Sequence, residues 1–387
     1  MSTHRTPSSL ARSEERPPFL AAKEHRLRNR KSSTVDNGEK SIAYRKKPRS
    51  LFRRFKRFSA KHTWTIPLIL ITIFLSFYSL DPRENNIASH FIFLSYGEES
   101  LDTPQHYGKG PWDIAFVAFY TIVLSFTREF IMRELLEPLA VWGGIKSKSK
   151  RLRFMEQAYT AVYFLFMGPM GIYVMRRTPV WYFNTRGMYE DYPHRTHEAL
   201  VKFYYLFQAA YWAQQALVMA LGMEKPRKDF RELLAHHVVT ISLIAFSYRC
   251  HFTYIGFAVF LTHDISDLFL AASKSFHYLD IPHVGPCFGI TTVVWIYLRH
   301  YLNLRIIFSL FGEYQTIGPY ELNWETEQYK SPLSNAITFV LLAALQSLNI
   351  FWLWCLLRNM YRYVAHNIVK DDRSEPESEV EEESKKE

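Results

Sequence analysis

Eight apolar stretches separated by polar segments dominate the middle of the chain. They cover approximately residues 64–80, 112–132, 154–175, 198–222, 233–249, 252–273, 284–310 and 334–358. A helix needs about 20 apolar residues to cross the hydrocarbon core of a bilayer, and about 17 is the lower limit. The pattern therefore predicts an all-α polytopic membrane protein with about eight transmembrane helices, or seven if one short stretch re-enters the membrane.

The composition agrees with a membrane-embedded helical bundle. Hydrophobic residues make up 48% of the chain and aromatic residues 16%, and membrane proteins collect aromatic side chains in belts at the lipid–water interfaces. The three cysteines, Cys250, Cys287 and Cys355, lie far apart, inside or beside apolar stretches. This arrangement argues against a disulfide framework and against a cysteine-based zinc site.

The net charge of +10 comes from the N-terminal end of the chain. Residues 1–62 carry 18 Lys and Arg against 5 Asp and Glu, whereas residues 370–387 carry 4 against 9. The apolar middle is close to neutral, so the charge does not indicate a nucleic-acid groove and we expect no nucleic-acid partner.

Composition divides the chain into five segments. We predict a disordered basic cytoplasmic tail, an amphipathic helix on the membrane surface, two accessory transmembrane helices, a domain of six transmembrane helices, and a disordered acidic cytoplasmic tail. Their bounds are 1–50, 51–62, 63–150, 151–366 and 367–387. Kinase-type motifs mark Ser33, Ser374 and Ser378 as possible phosphorylation sites, although charged tails contain such motifs by chance.

The distribution of basic residues predicts the topology. Membrane proteins keep Lys and Arg in their cytoplasmic connections, and segments 133–153 and 223–232, interpreted as loops, are rich in both. Segment 311–333, on the opposite side, has one lysine and four glutamates, while segment 176–197, with four arginines, is the exception. We therefore expect both termini in the cytoplasm.

Ionisable side chains concentrate in the fifth and sixth apolar stretches. The set is His236, His237 and Thr240 in the fifth stretch, and His263, Asp264, Asp267 and Lys274 in the sixth. An ionisable group at the centre of a bilayer costs about 2.5–3.5 kcal/mol or more, which makes each one a candidate functional residue. Residues three and four apart share a helix face, so each stretch presents its polar residues together.

A short turn around Cys250 joins these two stretches, which predicts an antiparallel hairpin. His237 and His263 are equally far from Cys250 along the chain, so the two polar groups should meet. At about 1.5 Å per residue they would lie about 10 Å below the cytoplasmic surface.

Three interpretations of this cluster remain open. The side chains could be packing residues satisfied by neighbours, although so many converging groups make that a poor explanation. They could bind zinc or iron, but the other histidines of these spans form no further H-x-x-H-H box of the kind that membrane di-iron enzymes use. The third interpretation, acid–base or nucleophilic catalysis by imidazole with an aspartate orienting the ring, requires no metal.

Other polar residues of the apolar stretches have less specific interpretations. Arg299 and Asn303, four apart in the seventh stretch, line a lipid cavity or connect helices, and connection is the simpler role. Arg128 and Glu129 are expected to pair with neighbours. Five amides are expected to form interhelical hydrogen bonds, namely Gln208, Gln214, Gln215, Gln346 and Asn349.

The histidines and aspartates stand in a recognisable pattern. The runs H-H-V-V-T from residue 236 and H-D-I-S-D from residue 263 resemble the signature of the ceramide synthases, the longevity-assurance family with a TLC domain. The apolar layout of 151–366 resembles the rest of that domain. Segment 133–153 is too short for the homeobox-like insert of many animal members, so the chain resembles a fungal-type member. Arg249 stands where the family usually has Asn, in the turn.

This resemblance implies N-acylation of a sphingoid base, sphinganine or phytosphingosine, by a fatty acyl-CoA in the endoplasmic reticulum membrane. It implies six helices forming a TLC-type bundle or barrel around a lipid cavity, and no cofactor besides the acyl-CoA substrate. Among partners it implies membrane lipids and a homo- or hetero-dimer with a paralogue and a small single-span regulatory subunit.

The residues themselves provide the candidates for each role in this reaction. The candidate catalytic residues are His236, His237, His263, Asp264 and Asp267. The candidate substrate-binding residues are Thr240, Lys274, Lys228, Arg231, Arg299 and Asn303. Their basic members would contact CoA phosphates, or would simply flank the membrane.

Two mechanisms and one alternative function stay open. His236 or His237, oriented by Asp264 or Asp267, would deprotonate the amine, or one histidine would carry the acyl group as an acyl-imidazole. The alternative is a non-enzymatic TLC protein, such as a translocon-associated or lipid-handling factor. Such a protein would be expected to lack the complete set of motifs.

Overall fold

Eight long helices form the protein in the computed structural model, which describes residues 62–83, 85–98, 104–281 and 284–366. They are α1 (Thr65–Leu80), α2 (Trp112–Trp142), α3 (Lys148–Met175), α4 (Ala199–Ala220), α5 (Phe230–Arg249), α6 (Thr253–Tyr278), α7 (Val284–Trp295, Ile296–Leu302 and Asn303–Ser309) and α8 (Pro332–His366). Each helix matches one predicted apolar stretch. Four of them, α2, α3, α6 and α8, are long and apolar enough to cross a membrane, which confirms a helical membrane protein.

Several predictions fall outside the described residues. These are the basic tail 1–50, the surface helix 51–62 apart from His62, the acidic tail 367–387, and the three serines Ser33, Ser374 and Ser378.

The prediction of a loop over 133–153 is wrong. Helix α2 continues through a π-helical stretch, Ile131–Leu136, to Trp142, and α3 begins at Lys148. The charges of this segment belong to helices: Arg133 pairs with Glu137 one turn later, at 3.4 Å, and such pairs stabilise a helix. Gly144, with φ of 82°, turns the chain, because glycine adopts this conformation without strain. The connection shrinks to residues 143–147.

Helix α6 lies at the centre of the packing. It contacts α3 along most of its length and also contacts α4, α5 and α7, while α8 contacts α5 and α7. Close approach to α3 depends on Gly171, where an added Cβ would lie 2.6 Å from the Tyr204 hydroxyl and 2.8 Å from Leu261. Small residues permit such contacts between membrane helices. The two N-terminal helices lie outside this group, α2 against α4 and α1 against α2.

A two-stranded sheet is the exception to the all-helical fold within the described ranges. Strands β1 (His106–Tyr107) and β2 (His197–Glu198) pair antiparallel just before α2 and α4. Beside them, the buried ammonium of Lys202 lies 2.7 Å from Asp113 and donates to the carbonyl oxygens of Ser95 and Gly108. These contacts fix the start of α4 to the start of α2.

A second charged cluster joins the middle of α2 and the first turns of α3 to the connection before α5. Arg128 lies 2.5 Å from Glu129 and 2.6 Å from Glu224, which confirms the prediction that Arg128 and Glu129 pair with neighbours. Arg153 pairs with Glu156 at 3.0 Å and donates to the carbonyl oxygen of Lys225. Buried charges need such partners, so this cluster positions the connection 221–229.

Replacing Arg128 with alanine should destabilise the protein by about 3–5 kcal/mol, because Glu129 and Glu224 would lose the cation between them. Thermal unfolding of the full chain in detergent micelles measures this loss. Arg133→Ala removes the half-exposed pair with Glu137 on the same helix and should cost about 0.5 kcal/mol. Equal losses in the two variants would contradict the assigned role of Arg128.

Candidate active site

Two cavities meet at His236. A narrow apolar cavity lies between α4, α5, α6 and α8, where His236, Thr240 and His263 are its polar lining residues closest to the α5 N-terminus. A second cavity of about 160 Å³ lies towards the end of the bundle that carries Lys274, and its lining includes His236, His237, Asp267 and Arg299. His236 lines both. The predicted meeting of the α5 and α6 groups is therefore found, with His236 rather than His237 sharing the apolar cavity with His263.

His236 is held between two indole rings. Its ring centroid lies 5.4 Å from that of Trp212 on α4 and 5.3 Å from that of Trp352 on α8, both edge to face. Trp352 is itself fixed, since its Nε1 donates to Asp229 at 3.2 Å. Within the described part of the chain, Nδ1 of His236 is buried without a hydrogen-bond partner. An unsatisfied nitrogen in this position can bind a polar group of a substrate.

His237 has a defined tautomer. Its Nδ1 lies 2.8 Å from the carbonyl oxygen of Leu233, and because a carbonyl can only accept, Nδ1 carries the hydrogen. In the neutral ring Nε2 then has a free lone pair, which is what a general base or a nucleophile requires. Thr240, one turn after His236, is buried with no hydrogen-bond partner for its hydroxyl among the described residues.

His263 is bonded at both ring nitrogens. Nδ1 donates to the carbonyl oxygen of Val259 at 2.8 Å, and Nε2 accepts from the side-chain amide of Asn349 at 3.2 Å. A ring with both nitrogens occupied fits a role in fixing the cavity wall better than proton transfer.

The two aspartates face other helices than the sequence predicts. Asp264 accepts hydrogen bonds from Tyr204 at 2.9 Å and from Gln208, both on α4. Asp267 pairs with Arg299 on α7 at 2.6 Å. Neither carboxylate bonds to His236 or His237 in the described ranges, so the expected aspartate–histidine bond is absent. Asp264 points away from the histidine face because adjacent positions on a helix point about 100° apart, whereas Asp267, one turn after His263, lines the polar cavity but bonds to Arg299.

Arg299 and Asn303 act mainly as connections between helices. Arg299 lies in the π-helical stretch Ile296–Leu302 and donates to Ser266 on α6 at 2.6 Å and to Asn349 on α8 at 3.2 Å. Asn303 donates to Gln346 on α8 at 2.7 Å. Arg299 also lines the polar cavity, whereas Asn303 lines neither cavity. The expected interhelical role of the amides holds for Gln208, Gln346 and Asn349.

The basic rim differs from the predicted one. Lys274 and Arg227 line the polar cavity, whereas the exposed Lys228 and Arg231 are absent from its lining. Arg227 belongs to the same basic segment as Lys228 and Arg231, but the sequence does not show which of these side chains faces the cavity, because that depends on the tertiary fold. No signal in the sequence indicates Trp212, Trp352 or Asp229 as site residues.

The described residues contain no group of three or more His, Cys, Asp or Glu side chains placed to hold a metal ion. The site is a set of imidazoles between a polar chamber, lined by three basic and two acidic side chains, and a narrow apolar cavity.

Comparison with known proteins places the fold and site in a class. Residues 153–358 match the family model described as the TLC domain, a range that includes every residue of the polar cluster. The chain is 53% identical over 328 residues to the sphingosine N-acyltransferase-like protein FUM17 of Gibberella moniliformis, covering 83% of this chain and 84% of that protein. These matches define a membrane protein built on a TLC domain.

Two further relatives narrow the class. Sphingosine N-acyltransferase lac1 of Schizosaccharomyces pombe is 46% identical over 92% of this chain and 89% of its own length. Sphingosine N-acyltransferase LAG1 of Saccharomyces cerevisiae is 39% identical over 94% and 87%. The chain belongs to the sphingosine N-acyltransferase, or ceramide synthase, family.

Asp267→Asn should destabilise the protein by about 3–5 kcal/mol, because it leaves the buried guanidinium of Arg299 without a carboxylate. Removing both charges, in Asp267→Asn with Arg299→Gln, should cost at least about 1 kcal/mol less than the sum of the two single changes. Thermal unfolding in detergent for all four proteins of this cycle measures the difference. Strictly additive losses would show that the pair is not coupled.

Proposed function

We propose that the protein is a ceramide synthase that transfers a fatty acyl group from acyl-CoA to the amine of a sphingoid base. The observation that carries this proposal is the position of His236, at the junction of a cationic chamber and an apolar channel. The apolar cavity has a volume of about 40 Å³, and the acyl chain would enter along its lining as the side chains there move apart. The chamber, with Arg227 and Lys274 on its wall, suits CoA phosphates. The names of the relatives support the same activity.

The proposed membrane arrangement has eight spans, with α3–α8 as the TLC bundle around the channel. Both termini and the basic rim lie on the cytoplasmic side of the endoplasmic reticulum membrane, as the Lys and Arg distribution predicts. Acyl-CoA would then enter the chamber from the cytoplasm, while the sphingoid base arrives from the bilayer. A dimer with a paralogue and a small single-span regulatory subunit remain predictions from the family resemblance.

The chemistry needs no further cofactor, because a thioester is already activated. The ammonium group of the sphingoid base must lose a proton before its nitrogen can attack the thioester carbonyl; the C–S bond then breaks and frees the CoA sulfur as a thiolate. We infer that His237 or His236 takes that proton, and the second proton lost from the nitrogen after attack goes to the departing CoA thiolate, which leaves as the thiol. The alternative is attack by imidazole on the thioester, followed by transfer of the acyl group to the amine. The two aspartates act indirectly, by fixing the positions of the helices, and Asp267 does so by pairing with Arg299.

His236→Ala and His237→Ala should each lower ceramide formation by about 100-fold or more, because the proton acceptor or nucleophile would be lost. Conversion of acyl-CoA and sphinganine by the purified variants in detergent provides the measurement. His277→Ala, on α6 but outside both cavity linings, is the matched control and should retain activity. Undiminished turnover in both α5 variants would remove these histidines from the mechanism.

Rapid quenching separates the two mechanisms. Protein incubated with labelled palmitoyl-CoA and no sphingoid base should retain label through denaturation if an acyl-imidazole forms. His236→Ala and His237→Ala then identify the ring that carries it. Label that never appears at times shorter than one turnover would favour direct attack by the amine.

Thr338 lies on α8 in the lining of the apolar channel, far from His236 along the helix bundle. Thr338→Phe should shift the product ceramides towards shorter acyl chains, because the larger side chain fills space in the part of the cavity far from His236. Mass spectrometry after competition among acyl-CoAs of different length detects the shift. Val340→Phe, on an exposed face of the same helix, should leave the distribution unchanged. The same distribution from both variants would place the acyl chain elsewhere.

A further inference from the structure

A separate cavity opens at the end of the bundle opposite Lys274. It has a volume of about 880 Å³ and lies between α2, α4 and α5, a size typical of sites for organic ligands. Its inner wall is apolar and includes Val117 on α2, Leu206 and Ala213 on α4, and Ile241 on α5. The apolar cavity beside His236 shares Tyr205 and Ile244 with this cavity and is otherwise lined by different residues.

The lining of this cavity includes three basic side chains, Lys109, Arg195 and Arg249. Lys109 Nζ donates to the Thr253 hydroxyl at 2.6 Å and lies 3.4 Å from the carbonyl oxygen of Tyr248 and 3.3 Å from His251 Nδ1. Arg249 Nη1 donates to the Tyr329 hydroxyl at 3.1 Å. Arg195 is the member of this group with a carboxylate within reach, since its Nε lies 3.9 Å from Glu327. In the described part of the chain, Lys109 and Arg249 have no carboxylate at ion-pair distance.

Two acidic residues, Asp113 and Glu327, line the same cavity, and Glu327, 3.9 Å from Arg195, offsets only part of this charge. Asp113 is bound to the buried ammonium of Lys202 at 2.7 Å. Burial lowers the pKa of Lys109 to about 7, and a nearby anion would favour its charged form. The mouth therefore has an excess of positive charge and attracts an anionic group.

The cavity is charged at the end of the bundle and apolar towards its middle. A lipid of the adjacent leaflet has the same arrangement, with its charged headgroup outside and its hydrocarbon chains inside. We propose that this cavity binds a membrane glycerophospholipid, with its phosphate at Lys109, Arg195 and Arg249 and one acyl chain between α2, α4 and α5. Guanidinium and ammonium groups are the usual protein donors to phosphate oxygens. The cationic amine of a sphingoid base would be repelled by the same residues.

Because α2 lies outside the matched TLC range 153–358, such a lipid would join the accessory helices to the TLC bundle. This inference does not rest on the acyltransferase activity, and it is tested by binding alone.

Native mass spectrometry of the full-length protein in detergent, titrated with 18:1 lysophosphatidic acid, tests the proposal. We expect one molecule retained per chain, with at least tenfold weaker retention in Arg249→Gln, which changes an exposed residue at the mouth, and in Ala213→Trp, which fills the apolar wall. Arg186→Gln, an exposed arginine outside this cavity lining, is the matched control and should bind as the unchanged protein does.

Sphinganine and oleate are titrated in the same way. Sphinganine, a cation, tests whether the ligand must be negatively charged, and oleate, an anion without phosphate, tests whether the phosphate is required. Because either one can also bind at the active site, the comparison is made on the part of the retention that Arg249→Gln removes; an equal Arg249-dependent retention of sphinganine or oleate would overturn the proposal. Unchanged retention in both Arg249→Gln and Ala213→Trp, or an equal loss in Arg186→Gln, would overturn it as well, since the lipid would then be bound elsewhere or without specificity.

Discussion

A guanidinium buried among membrane helices must be neutralised and hydrogen-bonded, and Arg299 imposes that constraint on the whole site. Its partners come from both neighbouring helices, Asp267 on α6 and Asn349 on α8. The same Asn349 donates to His263, so one amide links the charge to the wall of the apolar cavity. A buried charge separated from its partners is strongly destabilising. These bonds therefore fix the positions of α6, α7 and α8 relative to each other along the bundle axis, around His236.

The site also depends on a boundary between polar and apolar surroundings. The rings of Trp212 and Trp352 enclose His236, with cationic residues on one side and hydrocarbon on the other. An amphiphile entering this site places its reactive group at the boundary, because its two ends require different environments. The accessory helix α2 contributes at a distance, since Arg128 bonds to Glu224 in the connection that carries Arg227.

The sequence was a reliable guide to the helices and a weaker guide to their partners. Hydrophobic length predicted all eight helices, because a bilayer leaves few other structures for an apolar stretch of that length. Charge was misleading at 133–142, where Arg133 and Glu137 pair along the helix surface instead of marking a loop. The aspartates were predicted to face histidines, but Asp264 binds Tyr204, since spacing along one helix does not tell which neighbouring helix a side chain faces.

By itself, the sequence determined the helical membrane class, the hairpin of α5 and α6, and the set of histidines and aspartates that defines the family. Those features are local in the chain: apolar length, spacing on a helix and a short turn. Only the tertiary structure decided that His236 lies at the junction of two cavities, that Asp267 neutralises Arg299, and that Arg227 faces the site. These features depend on how rigid helices rotate and pack against each other, and packing is a property of many distant residues at once.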